Sequence, residues 1–334
     1  MKTKTPKPIV HQMDLSQFLA RFSTEAECKS FLEKRRWPDG VVKCPRCGGN
    51  AYTLKARPFH YLCKSGLESV NKETGEVSVC HKQNGYRFSV ITRTVFENTN
   101  YPLREWFRVI FFMFHAKKGM SAHQIHRMLG TGSYETAWYM CTRIRAAMKG
   151  DAFPLSGIVE VDEMYVGGED RNRHWNKKSA QVRKRMGEPT GSETPYSGER
   201  FGYGKVGVIG AIARKGNVVC RVIGDMDAPT LGGFVRNVVN TEKVDLLATD
   251  EKQDYRFIDP RMKHQAVRHG AGEYVRGEVH TNNIESFWSL IKRGIVGNYH
   301  HVSKKYLPLY LNEFSFRFNN RNNPDIFDAI LASC

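Results

Sequence analysis

Four of the eight cysteines lie close together in the sequence, and this clustering limits how the N-terminal part of the chain can fold. Cys44 and Cys47 form a Cys-X-X-Cys pair, and Cys63 and Cys80 follow. Two intervening residues allow both thiolates of such a pair to reach one metal ion. The polar stretch between Cys63 and Cys80 is typical of a hairpin, whose paired strands would bring these two cysteines together. The segment therefore predicts a small β unit that is stabilised by a structural Zn²⁺ ion, which four thiolates bind tetrahedrally.

Two histidines leave the zinc ligand set open. His60 and His81 lie beside Cys63 and Cys80, and either imidazole could replace one thiolate. An incidental group of cysteines is the alternative. The other four cysteines are scattered along the chain, which argues against a disulfide framework. We therefore expect a closed zinc site without an open coordination position.

Helical patterns flank the cysteine segment. Residues 14–36 predict two short helices with cap-like starts at Asp14 and at Ser23 or Thr24. From residue 41 to about residue 94 the pattern changes to short strand-like runs separated by Gly, Asn and Lys. This change of pattern sets the expected limits of the zinc-bound unit.

A second helical region, residues 102–149, ends in a pair of helices separated by a Gly-containing turn. Such a pair is typical of a helix-turn-helix, whose second helix enters the major groove of DNA. On this interpretation Arg143 and Arg145 are predicted to contact DNA. A plain helical linker is the alternative interpretation of the same pattern.

Three acidic residues stand in segments that otherwise predict a buried core. Asp162 lies inside the strand-like run GIVEVDEMYVGG, Asp250 ends the run VDLLATD, and Glu285 lies near the start of the amphipathic helix NNIESFWSLIKRGI. A buried carboxylate is costly unless a metal or hydrogen bonds compensate it. Together the three would hold two Mg²⁺ or Mn²⁺ ions about 3.5–4 Å apart, as metal-assisted phosphoryl transfer requires.

Taken singly, each of these acids has a simpler interpretation, as a strand end or as a helix-start residue favoured by the helix dipole. Three further acids nearby could support or replace a ligand: Glu163, Glu251 and Asp254. Lys292 follows Glu285 by two helical turns, and we predict that Lys292 and its neighbour Arg293 contact DNA phosphates.

The C-terminal half has the pattern of strands and helices that is typical of an α/β domain. Three strand-like runs, a helix and a fourth strand succeed one another after Gly157, interrupted by a basic, Gly- and Ser-containing stretch at 169–204 that predicts an exposed insertion. The net charge of +17 favours a polyanionic partner. No apolar run reaches the ~18 residues of a membrane span, and no secretory signal is visible, so we expect a cytoplasmic protein without a membrane partner.

Several stretches together resemble the ISXO-like transposases of bacterial insertion sequences. They include RRWPDGVVKCPRCGG, YRFSVITRTVFENTNYPLREWF, KKGMSAHQIHRMLG, VEVDEMYVGG and HTNNIESFWSLIKRGIVGNYHHVSKKYLPLYLNEFSFRFNNR. The resemblance implies a ribonuclease-H-like catalytic core with an acidic triad that falls on Asp162, Asp250 and Glu285. Some members use an Asn near the third position, so Asn282 and Asn283 are alternatives to Glu285 as the third ligand. The family's zinc ribbon more often has a shorter second cysteine pair.

The fold class expected is therefore α/β, with a ribonuclease-H-like core preceded by a zinc ribbon and a helix-turn-helix. The expected divisions are N-terminal helices (1–40), zinc ribbon (41–95), helix-turn-helix region (96–150) and catalytic domain (151–334). The resemblance implies cleavage at the element ends and strand transfer into target DNA, by a homo-oligomer that joins both terminal inverted repeats. The alternatives are a non-catalytic DNA-binding regulator and a nuclease of the same fold that does not join DNA.

Overall fold

The computed structural model describes residues 13–70, 75, 77–80, 83–150, 154–167, 205–250, 261–267 and 279–333. The chain divides into two compact units. Unit 1 is formed by Met1–Lys117, Ala122–Met148 and Asn322–Cys334, and unit 2 by Lys118–Ser121 and Lys149–Arg321. The predicted insertion at 169–204 lies outside the described residues, as do His81, Glu251 and Asp254.

Runs of helices and runs of strands follow one another along the described residues. The helices are α1 (Leu15–Arg21), α2 (Glu25–Arg36), α3 (Leu103–His115), α4 (Ala122–Leu129), α5 (Tyr134–Ala147), α6 (Ala228–Val238), α7 (Asn282–Gly294), α8 (Leu307–Asn319) and α9 (Ile326–Ser333). A π-helical turn, Ile295–Tyr299, continues α7. The strands are β1 (Ala51–Thr53), β2 (His60–Cys63), β3 (Glu68–Val70), β4 (Val77–Val79), β5 (Tyr86–Ser89), β6 (Leu155–Val166), β7 (Val206–Ala213), β8 (Val218–Ile223), β9 (Val239–Asp250) and β10 (His264–Val267).

The helical core of unit 1 is aromatic. Helices α1 and α2 begin where the sequence predicts, because Asp14 and Thr24 each form a capping box with the residue three positions later. The ring of Phe327 in α9 lies 5.4 Å from that of Phe22 and 5.6 Å from that of Phe107, measured between ring centroids. The C-terminal helix α9 therefore belongs to unit 1, whereas the sequence-based division placed residues 151–334 in one domain.

The strands of unit 1 form two small antiparallel sheets. One has the order β1-β2-β5, and the other is the hairpin β3-β4. Trp37, Tyr61 and Phe88 pack on each other beside the first sheet, with the Trp37 and Tyr61 ring centroids 5.0 Å apart. The short strand-like runs predicted between residues 41 and 94 are thus strands of a compact β unit.

Helices α4 and α5 are consecutive and pack on each other and on α3. Gly130 ends α4 with φ +60°, a left-handed conformation that glycine adopts readily. Ser133 then caps α5 by accepting a hydrogen bond from the Thr136 N–H at 3.2 Å. Apolar side chains of both helices are buried, among them Ile125 of α4 and Met140 of α5. The predicted succession of two helices around a glycine turn is therefore present.

A five-stranded mixed sheet, ordered β10-β9-β6-β7-β8, forms the centre of unit 2. Strands β6, β7 and β8 are antiparallel neighbours, whereas β9 and β10 run parallel to β6. Because side chains alternate along a strand, Val159 and Val161 of β6 pack in the core that contains α6. Met164 packs on the opposite face, in the core that contains α7 and α8. The α/β class predicted from the sequence is confirmed.

No helix in the described part of the chain combines the length and the apolar character that crossing a membrane requires.

Candidate active site and cysteine cluster

Two of the predicted acids meet on adjacent strands at the centre of the unit 2 sheet. Strand β6 pairs in parallel with β9, with Val159 opposite Leu247 and Glu160 opposite Ala248. Continuing this register by two residues places Asp162 beside Asp250, the last residue of β9. The apolar runs that surround these acids fold as neighbouring strands, and this pairing is what brings the two carboxylates together.

Asp162, Glu163 and Asp250 form a cluster in which one carboxylate oxygen from each lies within 4.8 Å of the others. Oxygens on opposite sides of a Mg²⁺ ion at about 2.1 Å lie about 4.2 Å apart, so the cluster has the size of a cation site. All its donors are hard carboxylate oxygens, which is the ligand chemistry that Mg²⁺ and Mn²⁺ prefer. The residues present therefore fit a divalent cation.

Glu285, the third predicted ligand, lies in the first turn of α7 and is exposed. Its carboxylate accepts a hydrogen bond from the Thr281 hydroxyl at 2.8 Å. Among the described residues, the tight acidic cluster contains Glu163 and not Glu285. Glu285 precedes Trp288 by three positions, so the two are neighbours on the helix surface, and the Trp288 indole N–H donates to Asp162 Oδ2 at 3.1 Å.

A carboxylate that the sequence analysis missed holds the start of α7. Glu160 lies two residues before Asp162 on the same face of β6 and is fully buried. Its oxygens accept from the backbone N–H groups of Asn283 and Ile284, at 2.8 and 3.2 Å. The Asn283 side-chain amide donates to it at 2.7 Å, and Arg214 Nε donates at 2.8 Å. The signal that could have found Glu160 is its place in VEVDE, one strand period before Asp162.

The Glu160 contacts bear on the open choice of a third ligand. The Asn283 amide is used to hold Glu160, so the side chain of Asn283 serves the attachment of α7 to β6. Asn282 is exposed at the first position of the helix, three residues before Glu285. The structure thus gives Asn283 a contact away from the acidic cluster.

The four clustered cysteines converge in unit 1. Each contributes a sulfur, and the four sulfurs lie within 4.8 Å of one another. The Sγ–Sγ distance is 3.8 Å between Cys44 and Cys80 and 3.6 Å between Cys47 and Cys63. A tetrahedron with Zn–S bonds of about 2.3 Å has edges of about 3.8 Å. The arrangement therefore fits a zinc ion held by four thiolates.

The hairpin β3-β4 is what brings Cys80 to the other three cysteines. Glu68 pairs with Val79 across the hairpin, and the N–H of Gly66 donates to the carbonyl of Cys80 at 2.8 Å. The hairpin predicted between Cys63 and Cys80 is confirmed, and it accounts for the long interval that separates these cysteines. His60 is exposed and is not part of the sulfur cluster.

Hydrogen bonds prepare one cysteine for ionisation. Burial tends to raise the pKa of the Cys47 thiol, but hydrogen bonds from the Ser65 hydroxyl, the Gly49 N–H and neighbouring thiols lower the pKa to about 7. The Ser65 hydroxyl lies 3.1 Å from Cys47 Sγ. Burial raises the pKa of the Cys44 and Cys80 thiols instead. A thiolate at Cys47 is the form that binds zinc.

The basic residues predicted to contact DNA differ in accessibility. Lys292 and Arg293 are exposed near the end of α7. In α5, Arg143 is half-buried and donates to the Glu97 carbonyl at 2.9 Å and to the Tyr139 hydroxyl at 2.6 Å. Arg145 is only 1% exposed. The two α5 arginines thus have structural surroundings that the sequence pattern did not indicate, and their contact with DNA stays a prediction.

Comparison with known proteins gives matches to both units. Residues 154–319 match the family model of the ISXO2-like transposase domain, and residues 23–65 match that of the transposase zinc-ribbon domain. The first match includes Asp162, Asp250 and Glu285, whereas the second ends before Cys80. A Halobacterium salinarum protein described as an uncharacterized protein in transposable element ISH50 is 27% identical over 312 residues, which cover 89% of this chain and 91% of that protein. The chain thus contains an ISXO2-like transposase domain at residues 154–319, preceded by a transposase zinc-ribbon domain at residues 23–65.

Proposed function

We propose that this protein is a DNA transposase that binds the ends of its own element and cleaves and joins DNA strands at a site formed by Asp162, Asp250 and Glu285. The observation that carries this proposal is the register of β6 and β9, which sets Asp162 and Asp250 side by side within the family's transposase domain. The order of the mixed sheet supports the ribonuclease-H-like core that the family resemblance implies.

The acidic residues supply the negative oxygens on which this chemistry depends. When bound, two Mg²⁺ or Mn²⁺ ions stabilise the attacking and leaving oxygens of an in-line phosphoryl displacement. Asp162 and Asp250 would hold such ions from rigid strands, so their oxygens are fixed before DNA arrives. Glu285 would complete the site from α7, whose start is attached to β6 through Glu160.

Glu163 competes with Glu285 for the third place. Glu163 has the advantage of distance, because its carboxylate lies in the cluster with Asp162 and Asp250. Glu285 has the advantage of access, because it is exposed and shares a helix surface with Trp288, which contacts Asp162. We assign the third ligand to Glu285 and give Glu163 the role of supporting the two aspartates.

The zinc-bound cysteines would stabilise the fold of unit 1 and take no part in the chemistry. Cys44, Cys47, Cys63 and Cys80 surround one position, which leaves no coordination place for a substrate. Double-stranded DNA is the proposed partner, contacted by the zinc ribbon and by α4 and α5 acting as a helix-turn-helix. Lys292 and Arg293, which are exposed on α7, would bind phosphates near the acidic site. Joining two element ends requires a homo-oligomer at the DNA synapse.

The test is an assay of the full-length protein with labelled element-end DNA, Mg²⁺ and a plasmid target. The expected result is Mg²⁺-dependent cleavage of the end followed by covalent joining of the label to the plasmid. Cleavage with release of free ends only would assign a nuclease. Binding of the end DNA without cleavage in either Mg²⁺ or Mn²⁺ would assign a DNA-binding regulator, and either result would overturn the proposal.

A further inference from the structure

Trp288 of α7 contacts a proposed metal ligand directly. Its side chain is 3% exposed, and its indole N–H donates a hydrogen bond to Asp162 Oδ2 at 3.1 Å. The indole nitrogen is a donor only, so this contact suits an ionised carboxylate. A hydrogen bond to a charged acceptor is stronger than one between neutral groups, and it restricts the rotation of the carboxylate.

Gly210 provides the space that this contact needs. It lies opposite Asp162 in the antiparallel pairing of β6 and β7. A Cβ atom at position 210 would lie 2.4 Å from Cη2 and 2.7 Å from Cζ2 of the Trp288 ring. Both are ring carbons in a packed core, so a methyl group there would displace the indole. The absence of a side chain at Gly210 therefore allows the ring to lie over β7 and reach Asp162.

The helix that carries Trp288 is fixed to the strand that carries Asp162. Glu160, on the same face of β6, accepts from the N–H groups of Asn283 and Ile284 at the start of α7. One turn further along, Trp288 contacts Asp162. These two attachments hold α7 along β6 at both Glu160 and Asp162, so the indole approaches the carboxylate from a defined direction.

We propose that Trp288 is a positioning residue that fixes the orientation of the Asp162 carboxylate for metal binding, with Gly210 providing the space for its ring. The inference rests on the proposed role of Asp162 as a metal ligand. Trp288 occupies one lone pair of Oδ2 and so restricts the direction in which the carboxylate presents its oxygens to a cation. Hydrogen bonds that orient metal ligands in this way typically contribute about 10- to 100-fold in metal affinity or activity.

The test measures Mn²⁺ binding to the full-length protein by electron paramagnetic resonance, without DNA. Trp288→Phe keeps an aromatic ring but removes the N–H, and we expect Mn²⁺ affinity to fall about 10- to 100-fold. The matched control is Trp106→Phe in unit 1. Trp106 is also fully buried, and its N–H donates to Thr99 Oγ1 at 3.0 Å, so the control loses an equivalent bond far from any proposed ligand in the sequence. Its Mn²⁺ affinity should equal that of the wild type.

Gly210→Ala provides a second variant that keeps every polar group and displaces the indole. We expect it to lower Mn²⁺ affinity by a similar factor. In the double variant Gly210→Ala with Trp288→Phe, the smaller ring relieves the collision, so the two losses should not multiply. This non-additivity is a result that two unrelated packing defects would not give.

Asp162→Asn separates failure of this inference from failure of the proposed function. If Asp162→Asn binds Mn²⁺ as the wild type does, the proposed metal site is wrong. If Asp162→Asn loses binding while Trp288→Phe and Gly210→Ala, both folded by circular dichroism, keep wild-type affinity, Trp288 is a core residue only and the inference is overturned. Should Trp288→Phe fail to fold, Gly210→Ala decides by the same criterion.

Discussion

At the scale of single residues, the carboxylate of Glu160 is fully buried in unit 2 and needs compensation for its charge. A carboxylate without contact to water is tolerated only when charges and hydrogen-bond donors surround it. Glu160 has two backbone N–H donors, the Asn283 amide and the Arg214 guanidinium, and His280 Nδ1 lies 3.2 Å from its Oε1. These donors therefore compensate the negative charge of Glu160, and those that belong to α7 also attach this helix to the sheet.

Glu160→Gln should destabilise unit 2 by about 3 kcal/mol, because the change leaves the Arg214 charge without its buried partner. It also places an amide N–H₂ where one oxygen accepted hydrogen bonds. Urea denaturation measures the loss. Glu242→Gln makes the same change at an exposed position of β9 and should alter the free energy of unfolding by less than about 0.5 kcal/mol. Equal effects of the two variants would contradict the role given to Glu160.

Substitutions distinguish Glu285 from Glu163 and Asn282 as the third ligand of the proposed site. Glu285→Gln should abolish strand joining and leave DNA binding intact, since it removes a charged oxygen with little change in size. Glu163→Gln should retain measurable joining, because Glu163 is assigned the role of supporting the two aspartates in the cluster and not that of the third ligand. Asn282→Ala should join DNA normally. An inactive Glu163→Gln beside an active Glu285→Gln would transfer the ligand to Glu163.

At the scale of elements, the hairpin β3-β4 completes the sulfur cluster. The sequence predicts this hairpin because a polar stretch with turn residues joins Cys63 to Cys80, and strand pairing is a local consequence of that pattern. The caps of α1 and α2 are predictable for the same reason, since the capping residues lie three positions apart. The hairpin and the two helix caps can be predicted because the residues that form them lie close together in the sequence.

Cys80→Ser should lower the zinc content well below the about one ion per chain expected of the wild type. Without the fourth thiolate the β unit loses zinc-derived folding energy, so the strands of residues 51–89 should become protease-sensitive while unit 2 stays folded. Cys220→Ser, in β8 of unit 2, is the matched control and should keep full zinc content. Elemental analysis of the purified variants measures zinc, and an unchanged content in Cys80→Ser would show that Cys80 is no ligand.

Other element-level features were not predictable, because they depend on contacts between distant parts of the chain. Glu160 meets Asn283 across 123 positions of sequence, so nothing near Glu160 indicates its partner. Helical spacing alone also left the surroundings of α5 undefined. The structure buries Arg145 and directs Arg143 to backbone carbonyls, although both occupy positions that a pattern of apolar residues leaves to the surface. The partner of Glu160 and the positions of the two arginines depend on tertiary packing, which the local sequence does not show.

At the scale of the whole molecule, the first and the last of the described helices, α1 and α9, belong to the same unit. Helix α9 joins α1, α2 and α3, and Phe327 is 3% exposed among the rings of Phe18, Phe22 and Phe107. The sequence could not show this, because an apolar C-terminal helix is equally compatible with either unit. A fragment ending near residue 150 would lack α9 and expose the aromatic core of unit 1.

Phe327→Ala should destabilise unit 1 by about 3–5 kcal/mol, the usual effect of removing a buried aromatic ring. Hydrogen exchange of α3, which contacts α9, should accelerate, and exchange of β6 and β9 in unit 2 should not. Leu15→Ala in α1 removes a side chain that is 49% exposed and should leave exchange of α3 unchanged. Slow exchange of α3 in Phe327→Ala would contradict the placement of α9 in unit 1.

In the proposed function, Asp162 and Asp250 hold the cations with which this protein cuts and joins DNA. The most direct measurement compares strand joining and end binding of the wild type, Asp162→Asn and Asp250→Asn, all full-length and in Mg²⁺. Each substitution replaces one charged carboxylate oxygen by an amide nitrogen and hardly changes side-chain volume. We predict that both variants bind element-end DNA with wild-type affinity and yield no joined product. Joining by Asp162→Asn at the wild-type rate would contradict the claim.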